Sequence, residues 1–401
     1  MVRRFRLSEL HKKVISQKIL FKVLSYIDSE KDLKTPVILI DKERLIENAS
    51  SIGSNIPNAK VFYAVKANGD KKILNVLKEL DIGFEIASIG ELNLLKDLNI
   101  SPDRIITSNP MKSPEFIKAL AHYGVKYHAF DSYCELKKLE KYAPGALCYV
   151  RICVPNEGSE WPLSKKFGVE LEEAHKLIKM AKQNGIVHPV GITFHVGSQC
   201  LNPYNWYIAI DKAKRLFDMC KQDGIELSIL NIGGGYPVSY TKVVPRIQEI
   251  DKKIKEYLAE KFGGQIEIFL EPGRAIVGDC GIMITKVLGT AKRGYENWVY
   301  LDAGVFNGLM EALGGIKYLY IPEEISSSGE NKAEEASFFE KYKKWTIAGP
   351  SCDSMDVIEK NVYIEGELAS GQLILIPSTG AYTTSYASEF NGFSLPEIKI
   401  I

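Results

Sequence analysis

One lysine stands where a reactive amine could do chemistry. The stretch VFYAVKANGD, residues 61–70, places Lys66 at the end of a run of apolar and aromatic residues. If burial lowers the pKa of such a lysine, its amine becomes a nucleophile toward carbonyl carbons. A lysine at a strand end also commonly extends its amine into solvent, so Lys66 alone leaves a surface role open.

Two further segments end in groups that complement an amine. GITFHVGSQ places His195, a flat ring, and Ser198, a hydroxyl that can bind phosphate, at the end of a later strand. LNIGGGYP carries Gly233, Gly234 and Gly235, whose backbone N–H groups can approach an anion closely. Taken separately, His195 also suits a core histidine and the glycines suit a tight turn. The glycines match neither a dinucleotide fingerprint nor a Walker motif.

The segment FLEPGRAIVGD adds a carboxylate, Glu271, and a guanidinium, Arg274, which could also form a structural ion pair. An amine, a flat ring, an anion site, a carboxylate and a guanidinium together fit pyridoxal 5′-phosphate. In this interpretation Lys66 holds the aldehyde, and the glycines with Ser198 and Arg274 hold the phosphate. Glu271 keeps the pyridine nitrogen protonated, so that the ring accepts electrons.

The composition argues against several other classes of function. A formal net charge of +1 gives no field that would attract nucleic acid or an acidic membrane. The basic start MVRRFRLSELHKK has no long apolar segment behind it, and no apolar run reaches membrane-spanning length, so we expect neither a secretory signal nor a membrane protein. Seven scattered cysteines without a Cys-x-x-Cys or Cys/His cluster indicate reduced thiols in a cytoplasm and no metal site.

The segments that carry these residues alternate between strand and helix patterns. From about residue 43 to 280, amphipathic helix-length segments separate eight apolar, β-rich runs. These runs are KVFYAV, GFEIAS, RIITS, YHAFD, LCYVRI, GITFHV, LNIG and IEIFLE. The alternation predicts a (β/α)8 barrel with its chemistry at the carboxyl ends of the strands, and a doubly wound open sheet is the alternative.

Strand-like segments separated by turns dominate after about residue 281. We therefore expect residues 43–280 to form the barrel, and residues 1–42 with 281–401 to form a mostly β domain. The polar segment 326–337 is predicted to be an exposed loop. In the β domain, AGPSCDSMDVI places Cys352 beside Asp353 in a turn after Gly-Pro. A lone cysteine is usually a buried packing residue, but this pair in a turn is less easily explained by packing.

From Phe5 to its end, the chain resembles the fold-type III pyridoxal-phosphate decarboxylases, the family of ornithine, lysine and diaminopimelate decarboxylases. That resemblance implies an alanine-racemase-like barrel followed by a β domain. The motifs that carry it are YAVKAN, EIASIGE, SNPMK, FHVGSQ, IGGGYP, EPGR, GPSCDSMD and GAYT with FNGF.

The resemblance implies a role for each matching residue. Lys66 corresponds to the Schiff-base lysine, and His195 to the residue stacked on the cofactor ring. Glu271 corresponds to the carboxylate at the pyridine nitrogen, with Glu85 and Arg151 near the ring. The implied phosphate site comprises Ser198, Gly233, Gly234, Gly235, Gly273, Arg274 and Tyr382.

The resemblance also implies a homodimer whose active sites lie between subunits. Cys352 and Asp353 would come from the partner, with Cys352 as the proton donor to the α-carbon. Cys-Asp-Ser resembles the ornithine and lysine branch, since diaminopimelate decarboxylases usually carry Cys-Glu-Ser. Asp353 then offers an anion to a distal ammonium group of the substrate.

These features predict decarboxylation of a basic L-amino acid, ornithine or lysine, to its diamine, as in polyamine biosynthesis. Asp353, Tyr382 and Glu311 are the expected substrate contacts. Gly314 and Gly315 stand where the resemblance implies a second acid. The alternative is therefore a decarboxylase of diaminopimelate or of a larger conjugated amino acid in a siderophore- or antibiotic-like pathway.

Three rival functions fit parts of the pattern. An amino-acid racemase on this fold uses two bases and usually an arginine at the pyridine nitrogen, which Glu271 argues against. A catalytically silent regulator without cofactor is disfavoured by the full set of cofactor residues. A one-domain cofactor carrier is disfavoured by the β domain with Cys352 and Tyr382.

Overall fold

The computed structural model describes residues 4–5, 7–161, 166–324 and 341–401. The chain forms two compact units. The barrel unit consists of Ile46–Pro237 and Val244–Ile276, and the β unit consists of Met1–Leu45, Val238–Val243 and Val277–Ile401. The loop predicted at residues 326–337 lies outside the described residues.

The helices and strands are numbered in chain order. The helices are α1 (Glu9–Val14), α2 (Gln17–Ser29), α3 (Lys42–Ser51), α4 (Lys71–Lys78), α5 (Ile89–Asp97), α6 (Pro114–Tyr123), α7 (Tyr133–Tyr142), α8 (Leu171–Asn184), α9 (Tyr204–Gln222), α10 (Ile247–Phe262) and α11 (Arg274–Val277). The strands are β1 (Val37–Ile40), β2 (Ala59–Ala64), β3 (Gly83–Glu85), β4 (Ile105–Thr107), β5 (Tyr127–Phe130), β6 (Leu147–Arg151), β7 (Ser159–Trp161), β8 (His188–Thr193), β9 (Ser198–Cys200), β10 (Ile229–Asn231), β11 (Glu267–Leu270), β12 (Gly281–Arg293), β13 (Glu296–Leu301), β14 (Ile321–Pro322), β15 (Tyr342–Ala348), β16 (Val357–Glu365), β17 (Leu373–Pro377) and β18 (Glu397–Ile400).

Eight parallel strands close into a barrel, in the order β2, β3, β4, β5, β6, β8, β10 and β11. The barrel closes where β11 pairs with β2, with Leu270 opposite Val61. The eight runs predicted from the sequence supply these strands. The predicted (β/α)8 barrel is confirmed. The open sheet is excluded, because an open sheet has two unpaired edge strands and here β11 pairs with β2.

Side chains fill the inside of the barrel. Phe62, Ile106, Ile229 and Phe269, from four different strands, form one buried cluster. The rings of Phe62 and Phe269 lie 4.9 Å apart. Gly83 leaves room for this packing, because a Cβ there would lie 2.3 Å from the ring of Phe62. A packed interior confines the chemistry to the ends of the strands.

Short turns join the barrel strands to the helices that follow. The side chains of Ser88, Ser113 and Ser132 each accept a backbone N–H in the first turn of α5, α6 and α7. Gly124 and Gly185 end α6 and α8 in the left-handed conformation, with φ of 98° and 66°.

Across the described part of the chain, no helix has the length and apolar character needed to cross a bilayer.

The β unit is built around the long strand β12. Its first half pairs with β1 and β17, and beyond an irregularity at residues 287–289 it pairs with β13. The sheet continues through β15 and β16, while β18 runs parallel to β1. Helix α2 contributes Ile19, Val23 and Ile27 to the core of this unit. This architecture confirms the predicted mostly β second domain.

Candidate active site

Polar side chains gather at the carboxyl ends of the barrel strands. Each belongs to the last residue of a strand or to a residue shortly after it: Lys66 after β2, Glu85 in β3, Ser108 after β4, Arg151 in β6, His195 after β8, Asn231 in β10 and Glu271 after β11. Because all eight strands are parallel, these ends meet at one face of the barrel. Positions that are far apart in the sequence thereby form one site.

Lys66 lies in a 3-10 turn, Val65–Ala67, immediately after β2. Its Nζ is 3.4 Å from Oε2 of Glu85, and the Lys66 side chain is 46% exposed while Glu85 is 2% exposed. Of the two positions that the sequence left open for Lys66, buried or exposed, the structure has the exposed one. The amine stands at the mouth of the barrel, beside a buried carboxylate and within reach of a ligand.

Glu271 is buried, and one of its oxygens is the centre of a hydrogen-bond network. Its Oε1 accepts a hydrogen bond from the Ser108 hydroxyl and another from Nδ2 of Asn231 at 2.5 Å. Ser108 Oγ in turn lies 2.9 Å from the Tyr149 hydroxyl. No donor to Oε2 of Glu271 is found among the described residues. That oxygen is therefore available to a donor from a ligand.

The surroundings of Glu271 disfavour its ionisation, which would place a second negative charge near that of Glu85. Burial, followed by the nearby carboxylate of Glu85, raises the pKa of Glu271 from its ordinary value of 4.5 to about 7. The hydrogen bonds from Ser108 and Asn231 act in the opposite direction, as does the charge of Lys66. A cation bound next to Oε2 would restore full ionisation.

Arg151 is the cation that faces these carboxylates from β6. Burial lowers its pKa, and the charges of Glu271, Asp131 and Glu85 oppose that effect. The ring of Phe167 covers the guanidinium, with its centroid 5.6 Å from Cζ. Arg151 therefore contributes positive charge to a site that holds two acids.

His195 presents an uncharged ring. Its Nδ1 accepts the backbone N–H of Gly197 at 3.0 Å, which places the ring proton on Nε2. Burial, then the charges of Arg151 and Lys66, hold the pKa of His195 well below its ordinary value. A neutral imidazole is suited to contact a flat aromatic ligand through its face.

The three glycines form a cradle that larger residues would block. A Cβ would lie 2.4 Å from Phe194 O at Gly233, 2.4 Å from Glu271 O at Gly234, and 2.5 Å from Gly197 O at Gly235. The N–H groups of Gly234 and Gly235 have no acceptor within the part of the chain that the structure describes. Close backbone approach and available N–H donors are the properties of a phosphate site.

A buried guanidinium lies at the same face. Arg274 is 3% exposed, and its Nε and Nη2 donate to Ser198 Oγ at 3.3 and 3.1 Å. Gly273 precedes it and accepts the N–H of Ile276. These residues bring a hydroxyl and a buried cation to an anion-binding region, as expected for a phosphate.

The network around Glu271 contains three residues that sequence reasoning missed. Ser108 ends the strand run RIITS and begins the motif SNPMK, but no role was predicted for it, for Asn231 or for Tyr149. Ser108 and Asn231 have the signal used for the other residues, a polar side chain at a strand end. Tyr149 lies within β6, and nothing in its local sequence indicates its contact with Ser108.

Four predicted site residues belong to the β unit. Cys352 and Asp353 are both exposed within their own chain. Glu311 is 2% exposed, in the 3-10 turn Met310–Gly314, and its substrate contact stays a prediction. Tyr382 is half-buried with φ of 56°, a strained backbone for a residue with a bulky side chain.

A buried aspartate, also missed, shapes the turn that carries Cys352. Asp356 is 3% exposed, and its carboxylate accepts the N–H groups of Val305 and Ser351 at 2.8 and 2.9 Å. A Cβ at Gly349 would lie 2.3 Å from the same carboxylate. The Gly-Pro-Ser-Cys segment is therefore fixed by contacts within the β unit.

The barrel residues fit pyridoxal 5′-phosphate on structural grounds. The cradle of glycines, with Ser198 and Arg274, supplies N–H, O–H and guanidinium donors for a phosphate. The acceptor Oε2 of Glu271 suits a protonated ring nitrogen, and Lys66 supplies an amine for an aldehyde. Each chemical group of the cofactor thus has a partner at this face of the barrel.

Comparisons with known proteins agree with this chemistry. A family model described as the pyridoxal-binding domain of pyridoxal-dependent decarboxylases matches residues 42–278. A lysine/ornithine decarboxylase of Selenomonas ruminantium is 33% identical over 399 residues, which cover 98% of this chain and 93% of the relative. Antizyme inhibitor 2 of Xenopus laevis is 33% identical over 351 residues, 84% of this chain and 75% of that protein.

A solved structure gives the same result for the fold. The crystal structure of lysine/ornithine decarboxylase from Vibrio vulnificus complexed with cadaverine has a TM-score of 0.83 to this chain at 27% identity. The match covers 97% of this chain and 100% of the other. The similarity therefore extends over both units of the chain.

Proposed function

The chain belongs to the pyridoxal-dependent decarboxylase family, and on that premise we propose that it removes the α-carboxylate of L-ornithine or L-lysine and releases the diamine. The observation that carries this proposal is the buried carboxylate of Glu271, with Oε1 saturated by donors and Oε2 open to a ligand. The substrate class is supported by the name of the Selenomonas relative and by the cadaverine in the Vibrio structure.

The cofactor of this family, pyridoxal 5′-phosphate, supplies when bound a ring that takes up the electron pair left by departing carbon dioxide. Lys66 would bind its aldehyde, and the glycine cradle with Ser198 and Arg274 would bind its phosphate. Glu271 would keep a proton at the pyridine nitrogen, with Glu85 and Arg151 setting the charge around it. His195 contributes an uncharged surface for the ring.

The acid at the ring nitrogen favours decarboxylation over racemisation. A carboxylate keeps that nitrogen protonated, whereas an arginine would leave it unprotonated. A regulator that binds no cofactor would have no need of the Glu271 network or of an open glycine cradle. The same two features therefore disfavour both rivals, although one relative is an antizyme inhibitor.

The substrate end of the site is assigned to a second copy of the chain. Cys352 and Asp353 lie exposed in a turn that Asp356 holds rigid, so another copy could reach them. In a homodimer with shared sites, Cys352 delivers a proton to the α-carbon and Asp353 accepts the distal ammonium of the substrate. Tyr382 is proposed as a further phosphate contact, as the family resemblance implies. All seven cysteines are free thiols, in keeping with a cytoplasmic enzyme.

A second candidate substrate is favoured by the turn after Met310. Gly315 has φ of 102°, and a Cβ built there would meet nothing within 4 Å. An acidic side chain is absent where the family resemblance implies one, and the space is open. Diaminopimelate or a larger conjugated amino acid is therefore the second candidate substrate, after ornithine and lysine.

A carbon-dioxide release assay tests the proposed activity. Purified protein with added cofactor would be offered L-ornithine, L-lysine, L-arginine, meso-diaminopimelate and the D-isomers of the first three. We expect turnover of L-ornithine or L-lysine, none of the D-isomers, and loss of turnover in Lys66→Ala. Cofactor binding without turnover of ornithine or lysine would contradict the substrate assignment and would favour a larger substrate.

A further inference from the structure

The hydrogen bonds to the Glu271 carboxylate are all donated by its neighbours. Asn231 Oδ1 accepts the N–H of Gly233 at 2.9 Å, which fixes the amide with its Nδ2 donors toward Glu271. Ser108 Oγ donates its single proton to the same carboxylate oxygen. Both neighbours of Oε1 are therefore donors, and a proton on that oxygen would have to displace one of them.

The Tyr149 hydroxyl is the first donor in this series of hydrogen bonds. It lies 2.9 Å from Ser108 Oγ and 3.5 Å from the carbonyl oxygen of Thr107, so the serine is the nearer acceptor. Burial and the charge of Glu271 raise the pKa of Tyr149 well above its ordinary value, so its proton is retained. Tyr149 therefore donates to Ser108, and Ser108 donates to Glu271.

Ser108 also connects the two acids of the site. Its backbone N–H lies 3.4 Å from Oε1 of Glu85, while its hydroxyl binds Glu271. A single residue thus offers one donor to each of two carboxylates whose charges oppose one another. Removal of the hydroxyl would leave that repulsion and the burial of Glu271 with less to offset them.

We infer that Ser108, Asn231 and Tyr149 are positioning residues that keep Glu271 ionised and present its Oε2 to the cofactor. This inference rests on the proposed function only where it assigns Oε2 to the pyridine nitrogen. The charged and titratable groups that face Glu271 are Glu85 from β3, Lys66 after β2, and Arg151 and Tyr149 from β6. The three positioning residues act through Glu271 and need not touch the cofactor.

Titration of Glu271 itself tests the inference. The full-length protein would be freed of cofactor, labelled with ¹³C at its glutamate carboxyls and titrated with pH by NMR. The Glu271 signal would be identified as the one that is missing in Glu271→Gln. We expect Ser108→Ala to raise the titration midpoint, with about a tenfold change in the protonation equilibrium. Tyr149→Phe, a milder change that retains the ring, should move the midpoint less in the same direction, and Ser108→Thr should restore it.

Ser132→Ala is the matched control, since Ser132 also follows a barrel strand but caps α7 and has no contact with Glu271. It should leave the midpoint unchanged. An unchanged midpoint in both Ser108→Ala and Tyr149→Phe, or an equal change in Ser132→Ala, would overturn the inference. In the holoenzyme with ¹⁵N in the pyridine ring, Ser108→Ala should also weaken ring-nitrogen protonation. Neither readout needs turnover, so a failure of the proposed function would be recognised separately.

Discussion

At the scale of single residues, the site depends on an acid that is costly to ionise. Glu271 is buried close to Glu85, and its pKa of about 7 reflects both effects. Two donors on Oε1 and the charge of Lys66 reduce that cost but do not remove it. A protonated ring nitrogen at Oε2 would supply the missing positive partner, so binding of the cofactor and ionisation of Glu271 favour each other.

Glu271 should make the cofactor-free protein less stable as the pH rises. The pKa of Glu271 is about 7 in the folded protein, compared with an ordinary value of 4.5. Between pH 4.5 and pH 7 the folded protein therefore holds a proton on Glu271 that the unfolded chain has lost. The stability contribution is fully present below pH 4.5 and is lost by pH 7, a change of about 3 kcal/mol. Urea unfolding at pH 5, 6 and 7 should show this slope in the wild type but not in Glu271→Gln.

Glu267→Gln serves as the control for a generic loss of charge, because the half-exposed Glu267 pairs with Lys60 at the protein surface. Its unfolding free energy should follow the pH dependence of the wild type. Parallel curves for the wild type and Glu271→Gln between pH 5 and 7 would show that Glu271 does not titrate in this range.

Residue types at strand ends could be predicted from the sequence, but their contacts could not. Lys66, His195 and Glu271 were recognised because each follows an apolar run. The shared role of Ser108, Asn231 and Tyr149 depends on three strands meeting, which no local pattern contains. The sequence left the burial of Lys66 undecided for a related reason: a 3-10 turn, not the strand itself, carries the lysine.

At the scale of elements, strand and helix periodicity predicted the barrel well. The eight barrel strands were predicted from apolar runs. Strand-like segments separated by turns were predicted after about residue 281, where β12, β13, β15, β16, β17 and β18 lie. The ribbon of β7 and β9 and the short strand β14 were missed, since two or three residues carry no period. Strand β1 and helix α2 were not described either, because their role depends on packing against β12 and β17.

The turn after β10 should be intolerant of any side chain. A Cβ at Gly234 would lie 2.4 Å from the carbonyl oxygen of Glu271. Gly234→Ala should therefore displace the cradle and weaken cofactor binding roughly ten- to a hundredfold, the equivalent of one charge-assisted hydrogen bond. Equilibrium titration of the cofactor-free protein with pyridoxal 5′-phosphate, followed by absorbance, measures this affinity.

Gly289→Ala is the matched control for the cradle, because a Cβ at Gly289 meets nothing within 4 Å. That variant should bind the cofactor like the wild type. An affinity for Gly234→Ala equal to that of Gly289→Ala would mean that the glycine turn does not hold the phosphate.

At the scale of the whole molecule, the predicted site residues are divided between two units of one chain. The barrel unit holds the amine, the acids and the anion cradle, and the β unit holds Cys352, Asp353 and Tyr382. Sharing of sites between two copies can be tested by mixing subunits. Lys66→Ala and Cys352→Ala, each nearly inactive alone, should recover roughly a quarter of wild-type turnover when mixed equally and allowed to exchange.

A second mixture provides the control for this experiment. Lys66→Ala and Glu271→Gln both alter the barrel unit, so no exchange of subunits can produce an intact site. That mixture should remain inactive. Subunit exchange demonstrated by native mass spectrometry without any recovery in the first mixture would contradict shared sites.

Product analysis in deuterium oxide separates decarboxylation from racemisation. Holoenzyme would be incubated with L-lysine and, separately, with L-ornithine, and the products followed by NMR and chiral chromatography. We expect cadaverine or putrescine with one deuterium at the former α-carbon, and one carbon dioxide for each diamine formed. Retention of the carboxylate with deuterium at the α-carbon and loss of optical purity would identify a racemase and contradict the proposed decarboxylation.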